Sequence, residues 1–422
     1  MNSKIRAAFL LACVPLLFAS CSDGGRVAVI WTDSPEFAFY AARFNASQNL
    51  HSVDVLYREF PGAGLGEAAD SGELPDVVVG KWLSGRAARD FLLPLDGYVS
   101  GDGSIAGLFY PALLEGGRFG GTQLLLPVSF NAPFAVFARE RPPGFSDPLT
   151  VGLYEIREKG EAFNATSAGS FTRMGFSPSW DDAFPLLAAT LFGASFAEGD
   201  PLSWDSPSLD RAMEFVRDWN AGTNPDLRAG DDFRFRYFNA PPETTLLSGR
   251  VLTVVMDSSY FFTLDENRRS QLDFRWIAAE DGLISPDPGV SYMGLVNGGG
   301  KRASAAADAF VRWFFDRETQ RELLEDGLDF GRTETSFGLA GGFSALRTVT
   351  EQVLPAFYPI LLGHTPPAYF LSPVESLPGD WAGMRDRVVI PYLLERSRSP
   401  EGESGTPDLR TRVADWARLN RF

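Results

Sequence analysis

The side chains able to do chemistry recur in one pattern, an aromatic ring or a strand end beside short polar groups. Trp31 precedes Thr32 and Asp33, with Glu36 close behind; Trp82 precedes Ser84; Ser129 stands near Asn131; Trp180 precedes Asp181; Asp257 precedes Ser258 and Ser259. A sugar ring presents an apolar face edged with hydroxyls. A flat aromatic covers such a face while carboxylates and amides take the hydroxyls, and hydrogen bonds to a charged group are the stronger ones. Competing chemistries lack material. The only histidines are His51 and His364, and the only cysteines are Cys13 and Cys21. Neither a zinc cluster nor a Cys–His nucleophile pair can be assembled from these, so no metal and no cofactor are expected. His364 in "LLGHTPP" reads as a loop anchor and His51 as a surface residue. "GAGLG" and "GGGKR" lack the spacing that phosphate cradles need and read as turns. With 54 acidic residues, a paired-carboxylate glycosidase is compatible with the composition, although no two carboxylates are singled out as the pair.

The formal net charge of −16 argues against a polyanionic partner, since such a chain repels phosphate backbones and anionic headgroups. Nucleic acid is therefore not expected. A content of 45% apolar residues supplies ample core, and 422 residues suit two or three domains.

The N-terminus carries its own signal. Lys4 and Arg6 precede an apolar run from Ala7 to Phe18, followed by the small residues Ala19 and Ser20. This reads as a secretory signal peptide over 1–20, too short for a bilayer span. Cys21 is then a thiol with no mature partner, which an exported protein must explain. The stretch "LLFASC" resembles a bacterial lipoprotein signal, with Phe18 where Leu is usual. That resemblance implies lipidation at Cys21, a flexible leader over 21–25, and attachment to a lipid bilayer.

The elements that must position the polar groups alternate in type. "VAVIWT" is a short apolar run suited to a buried parallel strand, and "DSPEFAFYAARFN" follows, with Asp33 or Ser34 as cap, Pro35 opening a helix, and Phe37, Tyr40, Ala41 and Phe44 on one face. "SVDVLY" and "PDVVVGKW" supply two more strands. Strand–helix alternation of this kind predicts an open parallel sheet, with ligands at the strand ends. In "QLLLPVSFNAPFAVFARE" the strand breaks around 129–131 and resumes near Phe134, the mark of a passage between domains. Downstream, "WDDAFPLLAATLFG" predicts a helix ended by Gly193, "SPSLDRAMEFVRDW" a helix capped by Ser206, and "RVLTVVMDSS" a strand ending in polar residues.

Taken in order, "WTDSPEFAFYAARFN", "LPDVVVGKW", "LPVSFNAPFAVFAR", "SPSWDDAFPLLAATLFGASF", "LLSGRVLTVVMDSS" and "AADAFVRWFFDRETQREL" resemble the sugar-type solute-binding proteins of bacterial ABC transporters, the family of maltose-binding protein. The resemblance spans nearly the whole mature chain. It implies a two-lobed α/β periplasmic-binding fold, each lobe a mainly parallel sheet flanked by helices, with 26–131 plus 286–340 as lobe 1 and 132–285 plus 341–422 as lobe 2. It further implies a monomeric, exported, non-enzymatic receptor that takes a carbohydrate into the interlobe cleft and delivers it to an ABC permease. Trp31, Asp33, Glu36, Trp82, Ser129, Asn131, Trp180, Asp181, Asp257 and Ser258 are the positions that this likeness turns toward the cleft. The segments "FGRTETSFGLAGGFSALRTV" and "LLGHTPP" do not match the family's pattern, so the identity of the sugar does not carry over.

Overall fold

The buried runs read from the sequence become strands of two separate sheets. The computed structural model describes residues 27–223, 228–298, 304–329, 335–399 and 407–420. The strands of the two sheets are β1 (Ala28–Thr32), β2 (Val53–Tyr57), β3 (Val77–Gly80), β4 (Leu126–Phe130), β5 (Pro133–Ala138), β6 (Thr150–Val151), β7 (Val254–Asp257), β8 (Leu272–Ile277), β9 (Ser291–Leu295) and β10 (Phe343–Ser344). A six-stranded sheet of order β10-β4-β9-β3-β1-β2 forms the first lobe, and a four-stranded sheet of order β7-β5-β8-β6 forms the second.

Both sheets are mixed rather than mainly parallel. In the first, β2, β1 and β3 run parallel, whereas β9 lies antiparallel to both β3 and β4, and β10 antiparallel to β4. In the second, only β8 and β6 are parallel. The physical reason is connectivity. A parallel pair needs a crossover on the same sheet, and β9 instead arrives from the other lobe.

Two strand-to-strand passages join the lobes. Asn131 and Ala132 carry the chain from β4 to β5, as the break in the sequence predicts, and Pro133 opens the new strand at its edge. Residues 278–290 carry it back from β8 to β9. One boundary is corrected by the pairing: Phe343 and Ser344, expected in lobe 2, pair with Phe130 and Ser129 in the first sheet. The chain joins the second lobe for good only later. Leu377, Trp381, Val389, Leu393 and Val413 form one cluster there with Ala189, Phe196 and Met213.

Helix periodicity worked where a single face meets a single partner. Helix Glu36–Ser47 buries Phe37, Tyr40, Ala41 and Phe44, and these rings meet Phe310, Trp313 and Phe314 of helix Ala305–Phe314 in edge and tilted contacts. Gly193, at φ 85°, ends helix Phe184–Leu191 in the left-handed region that favours glycine. The cap of the next helix differs from the expectation. Asp205, not Ser206, accepts from the Ser208 N–H at 2.8 Å, because the carboxylate stands one residue earlier and reaches the third amide. Around the hinge an aromatic block continues through both lobes: Phe134 stacks on Phe274 at 4.0 Å, and Phe262 stacks on Phe337 at 4.3 Å. The Trp276 indole N–H donates to His364 O at 2.7 Å, and the His364 ring bonds Ile360 O at 2.9 Å, so this histidine anchors its own loop. Among the described residues, no helix is long and apolar enough to cross a membrane, and no cluster of side chains could hold a metal ion. Cys21 and the whole N-terminal signal lie outside the described residues.

Candidate functional site

A cavity of about 800 Å³ opens where the ends of β5 and β7 meet helix Phe184–Leu191, the return passage 279–288 and a later segment, 372–390. That volume falls in the upper part of the range that accommodates small-molecule ligands. Leu186, Phe196 and Trp381 give it apolar walls. Its lining holds seven carboxylates, Asp181, Asp257, Asp287 and Glu375 among them, against one guanidinium, Arg385. Arg385 is itself engaged, since its Nε donates to Asp386 at 2.7 Å.

The local fold fixes how the carboxylates are presented. Asp257 ends β7 and caps helix Ser258–Thr263, accepting from Ser259 N at 2.7 Å and from its Oγ at 2.5 Å. The Asp257 side chain keeps an exposed face, but loss of solvent around it at the cavity wall pushes its carboxyl above the usual carboxylate range; the Ser259 hydroxyl works against that rise, and the negative charge of Asp287 adds to it. Asp181 accepts from Ala183 N at 2.8 Å, which turns the chain into helix Phe184–Leu191. Asp287 accepts from Gly289 N at 2.6 Å and holds the return passage in its bend. Each carboxylate is thereby oriented by backbone before any ligand arrives.

Three of the expected cleft residues form the hinge. Asn131 donates to Gly341 O at 2.9 Å and accepts from Ser258 Oγ at 2.8 Å, and its own carbonyl accepts from Asp287 N at 2.7 Å. Ser258 Oγ also accepts from Ala132 N at 3.1 Å, and Ser129 Oγ donates to Ala340 O at 3.3 Å. These groups join both passages to both lobes and satisfy one another.

Two more expected residues lock the first lobe. Asp33 neither caps the first helix nor faces the cavity, because its carboxylate accepts from Lys81 N at 3.0 Å beneath the end of β3. Burial raises its pKa, and the Lys81 N–H opposes that rise. Gly80 is required there: a Cβ would stand 2.8 Å from Asp33 Oδ1 and 2.8 Å from a Pro61 ring carbon. Glu36 accepts from Ser34 Oγ at 2.6 Å and from Ser336 Oγ, tying the start of the first helix to the segment before β10.

The expectation that three indoles share one groove is corrected. Trp31 packs in the first-lobe core with Arg58 over its ring at 4.7 Å. Trp180 is buried in the second lobe, stacked on Phe233 at 5.8 Å and tilted on Phe238 at 4.8 Å. Both side chains turn inward, Trp31 into the first-lobe core and Trp180 among Phe176, Phe233 and Phe238, where close packing gives them more apolar contact than an open cavity would. Only Trp82 lies between the lobes. Its ring reaches Gly289 of the return passage and packs on the second-lobe cluster that includes Trp381. Of the ten expected residues, the structure brings Asp181 and Asp257 to the cavity.

Sequence reasoning missed Trp381, Arg385, Glu375 and Asp287. Trp381 did carry the signal used elsewhere, an aromatic directly after Asp380 in "LPGDWAGMR". The passage "EDGLISPDPG" has the composition of an ordinary turn, and nothing local shows that it walls a cavity.

No known family model matches the chain, and no curated protein matches its sequence. Solved structures do match its fold over nearly its full length. The cyclic alpha-maltosyl-1,6-maltose binding protein from Arthrobacter globiformis aligns with a TM-score of 0.61 and 15% identity, covering 92% of this chain and 95% of that one. An ABC substrate-binding protein from Listeria monocytogenes, in complex with cycloalternan, gives 0.62 and 13%, with 94% and 99% covered. The sugar-binding protein MalE from Xanthomonas citri gives 0.62 and 14%, with 93% and 96% covered. The chain therefore has the two-lobed α/β fold of these binding proteins, the fold that the ordered sequence segments imply.

Proposed function

We propose that this protein is an exported receptor that captures a sugar or oligosaccharide between its lobes and presents it to an ABC permease, with Cys21 as its lipid anchor. The observation that carries the reading is the cavity that the second lobe opens beside the return passage: its volume of about 800 Å³ combines apolar walls at Leu186, Phe196 and Trp381 with carboxylates already oriented by backbone N–H groups. A sugar needs both kinds of surface at once. The wall's negative charge favours neutral over anionic ligands, because a uronate or sugar phosphate would meet several carboxylates across a poorly solvated space. The fold neighbours, whose names place maltose-type sugars and cycloalternan in this architecture, support the same class of ligand.

Binding acts by population shift. A ligand touching both lobes stabilises the form in which those contacts coexist, and the hinge moves without covalent chemistry. Thermal denaturation with a panel of neutral oligosaccharides, uronates and sugar phosphates tests the reading. A ligand at about 100 times its dissociation constant adds about 2.7 kcal/mol of stability. Neutral sugars are expected to raise the melting temperature and to be recovered intact. Recovery of cleaved sugar would establish a hydrolase instead, and no response to any sugar would remove the receptor reading.

A further inference from the structure

The two lobes meet a second time through the loop after β3, which runs from Trp82 beside Gly289 of the return passage outward to Arg89. That loop reaches across from the first lobe to hairpin Ala197–Ser203, which follows the cavity-lining Phe196, and to segment 372–379, which supplies Ser372, Glu375 and Leu377 to the cavity wall. Arg89 Nη2 meets Glu198 Oε2 at 2.7 Å, with the two side chains only 20% and 15% exposed. The other Glu198 oxygen accepts from Arg86 N at 2.8 Å. Ser376 completes the contact: its Oγ donates to Ser84 O at 2.6 Å, its backbone oxygen accepts from Glu198 N at 2.6 Å, and Arg89 Nη1 lies 3.4 Å from its Oγ.

Each partner is held ready for this contact by its own lobe. The Arg89 guanidinium lies over the Phe119 ring at 4.4 Å, which fixes its direction. Gly85 lets the backbones touch: a Cβ there would stand 2.8 Å from Leu377 O and 2.9 Å from Gly379 N. Trp82 sits at φ 61°, a conformation disfavoured for an L side chain, with its ring against the second-lobe cluster. Strain of that kind persists only where the surroundings enforce it.

We propose that this contact is a latch that holds the lobes together without ligand, so that ligand entry requires Glu198 to separate from Arg89 and Arg86. A latch of this kind sets the fraction of unliganded molecules in the closed form, and through that fraction the apparent affinity. It belongs to the chain's own residues and stands whatever the ligand proves to be.

Small-angle scattering of the purified unliganded chain tests it with two variants. Glu198→Gln removes the charge and keeps the shape. Gly85→Ala removes no charge, and its φ of −67° suits alanine, so it acts only by pushing on Leu377 and Gly379. Each variant is expected to raise the radius of gyration by about 1 Å over the roughly 22 Å of a compact chain this long. Amides of residues 82–89 and 372–379 are expected to exchange at least tenfold faster in both. Should Gly85→Ala fail to fold, Glu198→Gln alone decides. A folded Glu198→Gln chain with wild-type dimensions and wild-type exchange overturns the proposal.

Discussion

At the hinge, Ser129, Asn131 and Ser258 direct their hydrogen bonds to one another and to the backbone of both passages; along the cavity wall, Asp181 and Asp257 each bond a neighbouring amide and keep a face open to the cavity. Both regions draw on short polar side chains at strand ends, and one strand end even supplies both. Asp257 belongs to the cavity and the adjacent Ser258 to the hinge. The difference lies in where the second partner comes from. Hinge residues find it within the protein, so removing one leaves a buried donor or acceptor unpaired. Cavity residues leave room for one from outside. The first arrangement holds the junction of the lobes together, and the second leaves bonding capacity that the proposed ligand would take up.

Substitutions sharpen that contrast. The largest effect belongs to neither region. Trp180→Ala is expected to cost about 3–5 kcal/mol of stability, because it empties a stacked aromatic core. Chemical denaturation measures it, and a variant that kept its stability while losing only ligand affinity would return Trp180 to the cleft. Asn131→Ala comes next, at about 2–3 kcal/mol, since Ser258 and the Gly341 carbonyl lose their partner together. An unchanged melting temperature in that variant would dissolve the distinction between hinge and wall.

Asp257→Asn reports on the wall. It keeps an acceptor for Ser259 N and removes the charge, so the fold is expected to survive while affinity for a neutral sugar falls about tenfold, or about 1.4 kcal/mol, by calorimetry. The same variant carries the smallest prediction, a pH dependence. Burial raises the Asp257 pKa in the folded state, so the wild type has that group's full contribution to stability below the ordinary carboxylate pKa and loses it as pH rises through the folded value. Asp257→Asn is therefore expected to be more stable than wild type at pH 7, with the advantage fading as pH falls toward 4. An advantage that grows in acid would contradict the desolvation of this carboxylate at the cavity wall.

Much of the fold was legible because it is local. The buried face of helix Glu36–Ser47 follows from spacing, the glycine stop at Gly193 from backbone conformation, and the passage at Asn131 from the break between two apolar runs. The sheets' mixed pairing was not legible, because the direction of β9 depends on a return from the other lobe. The site was legible by residue type and poorly by role. Asp33 has the composition of a ligand contact, and Lys81, distant in sequence, claims its carboxylate.

The sequence by itself determined the alternation of strands and helices, the acidic charge and the scarcity of the histidines and cysteines that a zinc cluster or a Cys–His pair needs, since each follows from composition or from neighbours within a few turns. Only the tertiary structure decided which strand ends open onto the cavity. Trp381 and Glu375 reach that cavity from far along the chain, and Ser376 reaches Ser84 from equally far. Whether a polar group at a strand end is sealed or exposed depends on what packs over it, and that covering segment lies well beyond the reach of local sequence, as with Lys81 over Asp33 and segment 372–390 beside Asp181 and Asp257.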